Sequence, residues 1–219
     1  MKTNSELQRD VQDELNWAPS ITAGEIGVTA KEGVITLTGE VPSYFEKIEA
    51  ENVVGHVAGV MAIAEELKVK LPSYNERTDT DIAETALNAL AWNIGIPHDL
   101  AKVKVENGWV TLSGQVEWYF QKMAAGNAVH HLMGVKGVTN EITIKPKVVA
   151  SASEIKTTIE NAFKRTAMLD AQKISVTVHD GKVTLKGNAH SWKEKDDARE
   201  YAWAARGVSS VQNDIVVLN

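Results

Sequence analysis

Three short stretches of the chain alternate apolar and polar residues with a period of two. They are residues 33–39 (GVITLTG), 108–114 (GWVTLSG) and 181–187 (GKVTLKG). This alternation is typical of a strand with one buried face. Each stretch opens with a glycine after two polar residues, such as Glu106 and Asn107, which favours a tight turn. The pattern therefore predicts, three times, the second strand of a β-hairpin.

The apolar positions around each hairpin strand follow a constant order. A helical stripe with a spacing of four precedes it, Leu7, Val11 and Leu15 in the first copy, and a first strand pattern follows over 26–30. After the hairpin come a second helical stripe and a closing strand pattern over 63–69. The order α-β-β-α-β predicts an α+β fold, in which each unit is a three-stranded mixed sheet with two helices on one face.

Capping and helix-breaking residues mark the predicted ends of these helices. The predicted N-caps of the first helices are Ser5, Thr78 or Thr80, and Ser153. Pro19 and Pro97 are predicted to end the first two of them. Glycines that follow the second helices are predicted as left-handed C-caps: Gly59, Gly134 and Gly207.

The three copies superimpose without insertions when Gly33, Gly108 and Gly181 are aligned. Eight further positions are then identical in all three, among them the strand glycines Gly39, Gly114 and Gly187. The period exceeds that of common solenoid repeats, so the sequence predicts three tandem domains at 1–73, 74–148 and 149–219. The joints between them are short, and units of this size have modest cores, which predicts fixed contacts between neighbours.

These residues together resemble the BON (bacterial OsmY and nodulation) family. The resemblance rests on the Val103-x-Val105 strand, the NGWVTLSGQV hairpin at 107–116 and the Gly134-Val135 pair before the closing strand. All three copies match it. It implies the α-β-β-α-β fold, no catalysis, and a role in envelope stress tolerance with binding of phospholipid. Three copies and the absence of an export signal depart from the common member of the family.

Composition narrows the possible chemistry. The chain has no cysteine, and its six histidines lack the spacing of a metal site, with His130 and His131 expected on different sides of a helix. It also has no nucleophile elbow and no phosphate-binding loop, so we predict no metal, no cofactor and no enzymatic activity. The first residues lack an apolar segment and no apolar run is long enough to cross a bilayer, which predicts a cytoplasmic protein, or a periplasmic one if a leader precedes Met1.

The charge distribution and the tryptophans bear on which partners the protein binds. The three predicted domains carry net charges of −6, −1 and +1, which argues against nucleic acid. Trp17 and Trp92 occupy equivalent positions at the end of the first helix, where the third copy has Arg165. Trp109 and Trp118 replace residues that are polar in another copy. These five residues are the predicted binding residues, although contact with a neighbouring domain explains the tryptophans equally well.

Two functions remain open at this point. One is a non-catalytic, stress-associated binding module for anionic phospholipid or for a protein partner. The other is a soluble sensor or carrier of a small ligand or ion, held in a groove between domains. The sequence indicates no oligomeric state.

Overall fold

Three units of the same topology follow one another along the chain. The computed structural model describes residues 2–97, 101–166 and 173–218. The first unit comprises α1 (Asn4–Trp17), β1 (Ile26–Lys31), β2 (Val34–Val41), α2 (Tyr44–Gly55) and β3 (Ala62–Val69). The second comprises α3 (Asp79–Trp92), β4 (Ala101–Glu106), β5 (Trp109–Val116), α4 (Tyr119–His130), β6 (Gly137–Asn140) and β7 (Thr143–Ile144). The third comprises α5 (Ala152–Arg165), β8 (Ile174–His179), β9 (Lys182–Ala189), α6 (Trp192–Trp203) and β10 (Ser210–Val217).

Each sheet has the hairpin strand in its centre. In the first unit β2 pairs antiparallel with β1 and parallel with β3, and the third unit repeats this arrangement. In the second unit the closing strand is divided into β6 and β7, and both pieces pair parallel with β5. The predicted α+β fold of three mixed sheets is confirmed. Each unit encloses its own apolar core between its helices and its sheet, as with the fully buried Leu37, Leu112 and Leu185.

The hairpins turn through two residues with positive φ. Asn107 and Gly108 have φ of 53° and 80°, as expected for a type I′ turn, and the carboxylate of Asp79 on α3 accepts from both of their amides at 2.8 Å. All nine glycines singled out in the sequence have positive φ: Gly33, Gly39, Gly59, Gly108, Gly114, Gly134, Gly181, Gly187 and Gly207. A Cβ on Gly39 would lie 2.0 Å from the carbonyl oxygen of Glu25, so this strand position has no room for a side chain.

Several predicted helix ends were wrong. The N-caps are Thr3, Thr78 and Ser151, so Ser5 and Ser153 lie inside the helices. In each helix the residue three positions after the cap is acidic, and it completes a capping box that fixes which hydroxyl residue caps. Helix α3 ends at Trp92 with Asn93 as its C-cap, five residues before Pro97.

The glycines after the second helices are not their C-caps. The cap of α2 is His56, which has right-handed helical φ and ψ, and Gly59 follows three residues later in a separate turn. The positive φ of Gly59 is therefore needed to direct the chain into β3, and it does not close the helix.

The second helices of the three units meet in cyclic order, first residue against last residue. Tyr44, the first residue of α2, packs edge to face on His130, the last residue of α4, with ring centroids 6.1 Å apart. Tyr119, the first residue of α4, stacks on Trp203, the last residue of α6, at 4.7 Å and 3°. We call these contacts the first and second seams.

A third contact returns to the first unit. Trp192, the first residue of α6, lies over Gly55, the last residue of α2, where a Cβ would stand 3.3 Å from Cδ1 of the indole. Burial raises the pKa of Glu51 near this third seam, with smaller contributions from the carboxylates of Glu65 and of Asp196 across the seam. Because one head-to-tail contact is repeated three times and the last returns to the first unit, the chain forms a closed ring with pseudo-threefold symmetry.

Candidate functional site

The most exposed aromatic side chains of the described residues lie at the ends of the first helices. Trp17 at the end of α1 is 82% exposed and Trp92 at the end of α3 is 89% exposed. Each follows a buried leucine, Leu15 or Leu90, by two residues, which turns it about 200° around the helix and away from the core. We call these two residues the tryptophan tips.

The third equivalent position carries charge instead of an aromatic ring. Arg165 ends α5 and is exposed, and Lys164 precedes it in the same last turn. The last turns of α1 and α3 contain no basic residue. The three positions are equivalent in the pseudo-threefold ring. Together they present two exposed indoles and one exposed basic pair.

Ile94 extends the tip of the second unit. It is fully exposed and follows Trp92 by two residues. Its place at the tip was not predicted, because the equivalent residue of the first unit is Pro19 and the copies therefore share no apolar pattern at that position.

The structure separates the other two tryptophans from the tips. Trp109 lies flat on its own sheet, with its ring over Gly137, and its Nε1–H donates to Oγ1 of Thr139 at 2.8 Å. Half of its surface remains exposed. Trp118 is half-buried at the N-cap of α4, in the second seam. Of the five predicted residues, three are thus exposed at the ends of the first helices and two pack against other parts of the chain.

The prediction that His130 and His131 point to different sides of a helix was wrong. Their rings are parallel, with centroids 5.7 Å apart, since α4 ends at His130 and the chain turns there. His131 contacts Phe45 of α2 at 4.7 Å, so both histidines belong to the first seam. Burial, with a smaller contribution from the neighbouring His131, lowers the pKa of His130.

A groove in the second seam is a further candidate. It occupies about 640 Å³ between α4 and α6, and Phe120, Met123 and Trp203 are among its apolar lining residues. Sequence reasoning did not find it, although aromatic residues at the first position of all three second helices (Tyr44, Tyr119 and Trp192) were visible.

The described residues contain neither a cluster of metal ligands nor a membrane-spanning helix. Among residues 2–97, 101–166 and 173–218, no three His, Asp or Glu side chains come together in a way that could hold a metal ion. His98 lies outside the described residues. No helix in the described part of the chain is both long and apolar enough to span a bilayer.

The repeated fold defines the class of protein to which the chain belongs. The BON domain profile matches residues 3–70, 78–146 and 151–219, and the chain belongs to the BON domain family. Among individual proteins it is similar to the osmotically-inducible protein Y of Escherichia coli (strain K12), with 31% identity over 132 residues. That match covers 58% of this chain and 65% of the relative, which is less than two thirds of the relative's length.

Two solved structures of CdsD, a structural protein of the type III secretion system of Chlamydia trachomatis, also match. The C-terminal domain shares 16% identity with a TM-score of 0.27, covering all of both chains. The second shares 17% identity with a TM-score of 0.25, covering 96% of this chain and 91% of the other. These scores are too low to support any argument about function.

Proposed function

We propose that this protein is a non-catalytic module of the osmotic or envelope stress response that binds phospholipid surfaces through its tryptophan tips. The observation that carries the proposal is the exposure of Trp17 and Trp92, at 82% and 89%, at equivalent positions of two units. The link to osmotic stress comes from the name of the relative, an osmotically-inducible protein.

The tips suit the polar–apolar boundary of a membrane. An indole has a large apolar body and one N–H donor, and it is enriched at the headgroup level of bilayers. If each indole removes about 100 Å² from water, it contributes about 2.5 kcal/mol. Where both tips reach the same bilayer they act together, because the second enters the surface at a high effective concentration once the first is bound.

Charge determines which lipids the tips favour. The formal net charge of −6 opposes long-range attraction to an anionic bilayer, so insertion of the indoles has to supply most of the binding energy. Lys164 and Arg165, at the equivalent helix end of the third unit, add a local contact for an anionic headgroup. We therefore expect binding to neutral vesicles, strengthened modestly by anionic lipid and by low salt.

Sedimentation with vesicles tests this proposal. The vesicles are phosphatidylcholine, with and without phosphatidylglycerol. The variant with both Trp17→Ala and Trp92→Ala should bind at least about a hundredfold more weakly, since each loss of 1.4 kcal/mol is a factor of ten. Arg165→Gln should reduce only the extra binding to the anionic vesicles.

The control is Trp109→Phe, which removes a tryptophan that packs on its own sheet and should leave binding unchanged. Equal binding by the double tip variant and the wild type would refute the proposal. If the wild type binds no vesicles, the proposal of lipid binding is wrong, and the tips are then interpreted as a surface for a protein partner.

A further inference from the structure

The groove of the second seam has the size and lining of a small-molecule site. Sites for small ligands occupy about 300–1,000 Å³ and are mostly apolar with a few polar groups. This one holds about 640 Å³, with Trp118 at the N-cap of α4, Phe120 and Met123 on α4, and Trp203 on α6 along its walls. A volume of that order suits a small molecule better than a segment of protein.

Its aromatic walls are held in place but not covered. The stack with Tyr119 fixes the orientation of Trp203, with the two ring planes within 3° of parallel. Phe120 and Met123 remain 58% and 37% exposed, so nothing in the described part of the chain closes the groove over them. Aromatic faces carry negative electrostatic potential, and they attract cations that lie against them.

The charge on the lining of the groove favours a cation over an anion. Among the described residues, this lining includes the carboxylate of Glu200 and no Lys, Arg or His side chain. Arg199 is adjacent and pairs with Asp196, while Lys147, which pairs with Glu117, and Arg206 line a neighbouring pocket that shares Trp118 and Trp203. The groove borders the C-terminal end of α6 and the N-terminal end of α4, where the partial charges of the helix dipoles have opposite signs, so the preference rests on Glu200 and the aromatic faces.

Two of the amides next to the groove already have an acceptor. At the N-terminal end of α4 the backbone N–H groups of Glu117 and Trp118 donate to Oε1 of Gln121, at 3.1 and 2.9 Å. An anionic ligand would have to displace this side chain. A cation meets no such competition.

The equivalent positions of the other seams lack this combination. Trp203 is replaced by His130 at the first seam and by Gly55 at the third. At the third seam the counterpart of Phe120 is Lys193, which pairs with Asp197. The chemistry of the groove is therefore particular to the second seam and is not a general consequence of the repeat.

We propose that the second seam binds a small, free quaternary ammonium solute, with its alkylated cation against Trp118 and Trp203 and its charge balanced by Glu200. A primary ammonium is a poorer match. Its three N–H donors would lose water while the groove offers one carboxylate and the side-chain amide of Asn127. A quaternary ammonium has no N–H groups to satisfy.

Titration with choline chloride, followed by NMR of the indole Nε1–H signals, tests the proposal on the full chain. The comparison ligand is the uncharged tert-butyl analogue of choline, which has the same shape without the charge. Choline should shift the signals of Trp118 and Trp203, and the neutral analogue should bind about tenfold more weakly. Equal binding of the two ligands, or no shift with choline, would overturn the proposal.

Two matched variants test whether Glu200 balances the charge of the bound cation. Glu200→Gln keeps the shape of the side chain and should weaken choline binding by about threefold to fivefold. Glu84→Gln, on the exposed surface of α3, should change nothing. Both variants should melt like the wild type, since neither residue is buried. Unchanged choline affinity in Glu200→Gln would remove Glu200 from the site and refute the assignment.

A last comparison separates a free solute from the headgroup of phosphatidylcholine. If the solute is free, Glu200→Gln binds phosphatidylcholine vesicles as the wild type does, and choline does not compete with them. If the variant loses vesicle binding and choline displaces the wild type from vesicles, the ligand is a lipid headgroup, and the proposal of a free solute is wrong. The tip variants are unaffected by either result, so the two proposals fail independently.

Discussion

Replacing Tyr44 with Ala should destabilise the second unit more than the first, although the residue belongs to the first. Tyr44 is the first residue of α2, yet its ring packs against the core of the second unit and on His130 of α4. Its hydroxyl group also lies within hydrogen-bond reach of the backbone of Val138 on β6. Truncation therefore removes contacts that the second unit cannot replace.

The size of the effect follows from the burial of the ring. A covered aromatic side chain buries about 150–250 Å², so the half-buried Tyr44 keeps about 100 Å² from water. At about 25 cal/mol per Å² this contributes about 2.5 kcal/mol. Part of that area faces the first unit, which leaves about 2 kcal/mol for the second. Amides of β5 and β6 that exchange through opening of this unit should then exchange about thirtyfold faster.

Hydrogen exchange measured strand by strand is the suitable assay, because a chain of three cores need not unfold in a single step. Tyr44→Phe keeps the ring and should show less than half of the effect. Tyr74→Ala removes a tyrosine that is 74% exposed and should show none. If Tyr44→Ala accelerates exchange only in the strands of its own unit, the first seam carries no energy and the ring is not held as described.

Two further predictions concern the backbone and the seams. Gly39→Ala should cost more than about 2 kcal/mol in thermal or urea denaturation, because φ is +123° and the new Cβ would meet the carbonyl oxygen of Glu25. Gly24→Ala, with nothing within 4 Å of its Cβ, is the control and should be close to neutral. The free energy of unfolding should fall as the pH drops through 6.5, the pKa of an ordinary histidine. Folding lowers the pKa of His130, so the unfolded chain binds more protons than the folded chain once the pH is below 6.5. His130→Gln should flatten this slope in urea titrations, and an unchanged slope would show that His130 is not its source.

Local patterns in the sequence were sufficient to predict the units. The hairpin strands follow from period-two alternation and the helix stripes from a spacing of four, and both appear where predicted. The errors at the helix starts placed the cap two residues too late, at Ser5 in place of Thr3 and at Ser153 in place of Ser151. The acid three residues after the cap, Glu6 or Glu154, was the deciding signal, and it was present in the sequence.

The seams could not be predicted in the same way, because the residues that receive the aromatic rings differ in type from one seam to the next. The first residue of each second helix is aromatic, but the last residues are Gly55, His130 and Trp203, which have no common pattern. Only the fold brings first and last residues of different units together. The groove could not be predicted for the same reason, because its walls come from two helices about eighty residues apart in sequence.

The unlike seam residues fix the order of the units around the ring. Trp192 is the largest of the three leading side chains, and it lies over Gly55, where there is no side chain to exclude it. Moved to the second seam, the same indole would meet Trp203 in place of a glycine. Each contact therefore disfavours the wrong neighbour as well as stabilising the right one, which is how related interfaces stay specific. A head-to-tail contact that did not close would leave one leading and one trailing helix end uncovered, each able to pair with another chain. Closure by a third, differently shaped seam removes both ends, while the tryptophan tips and the groove remain exposed.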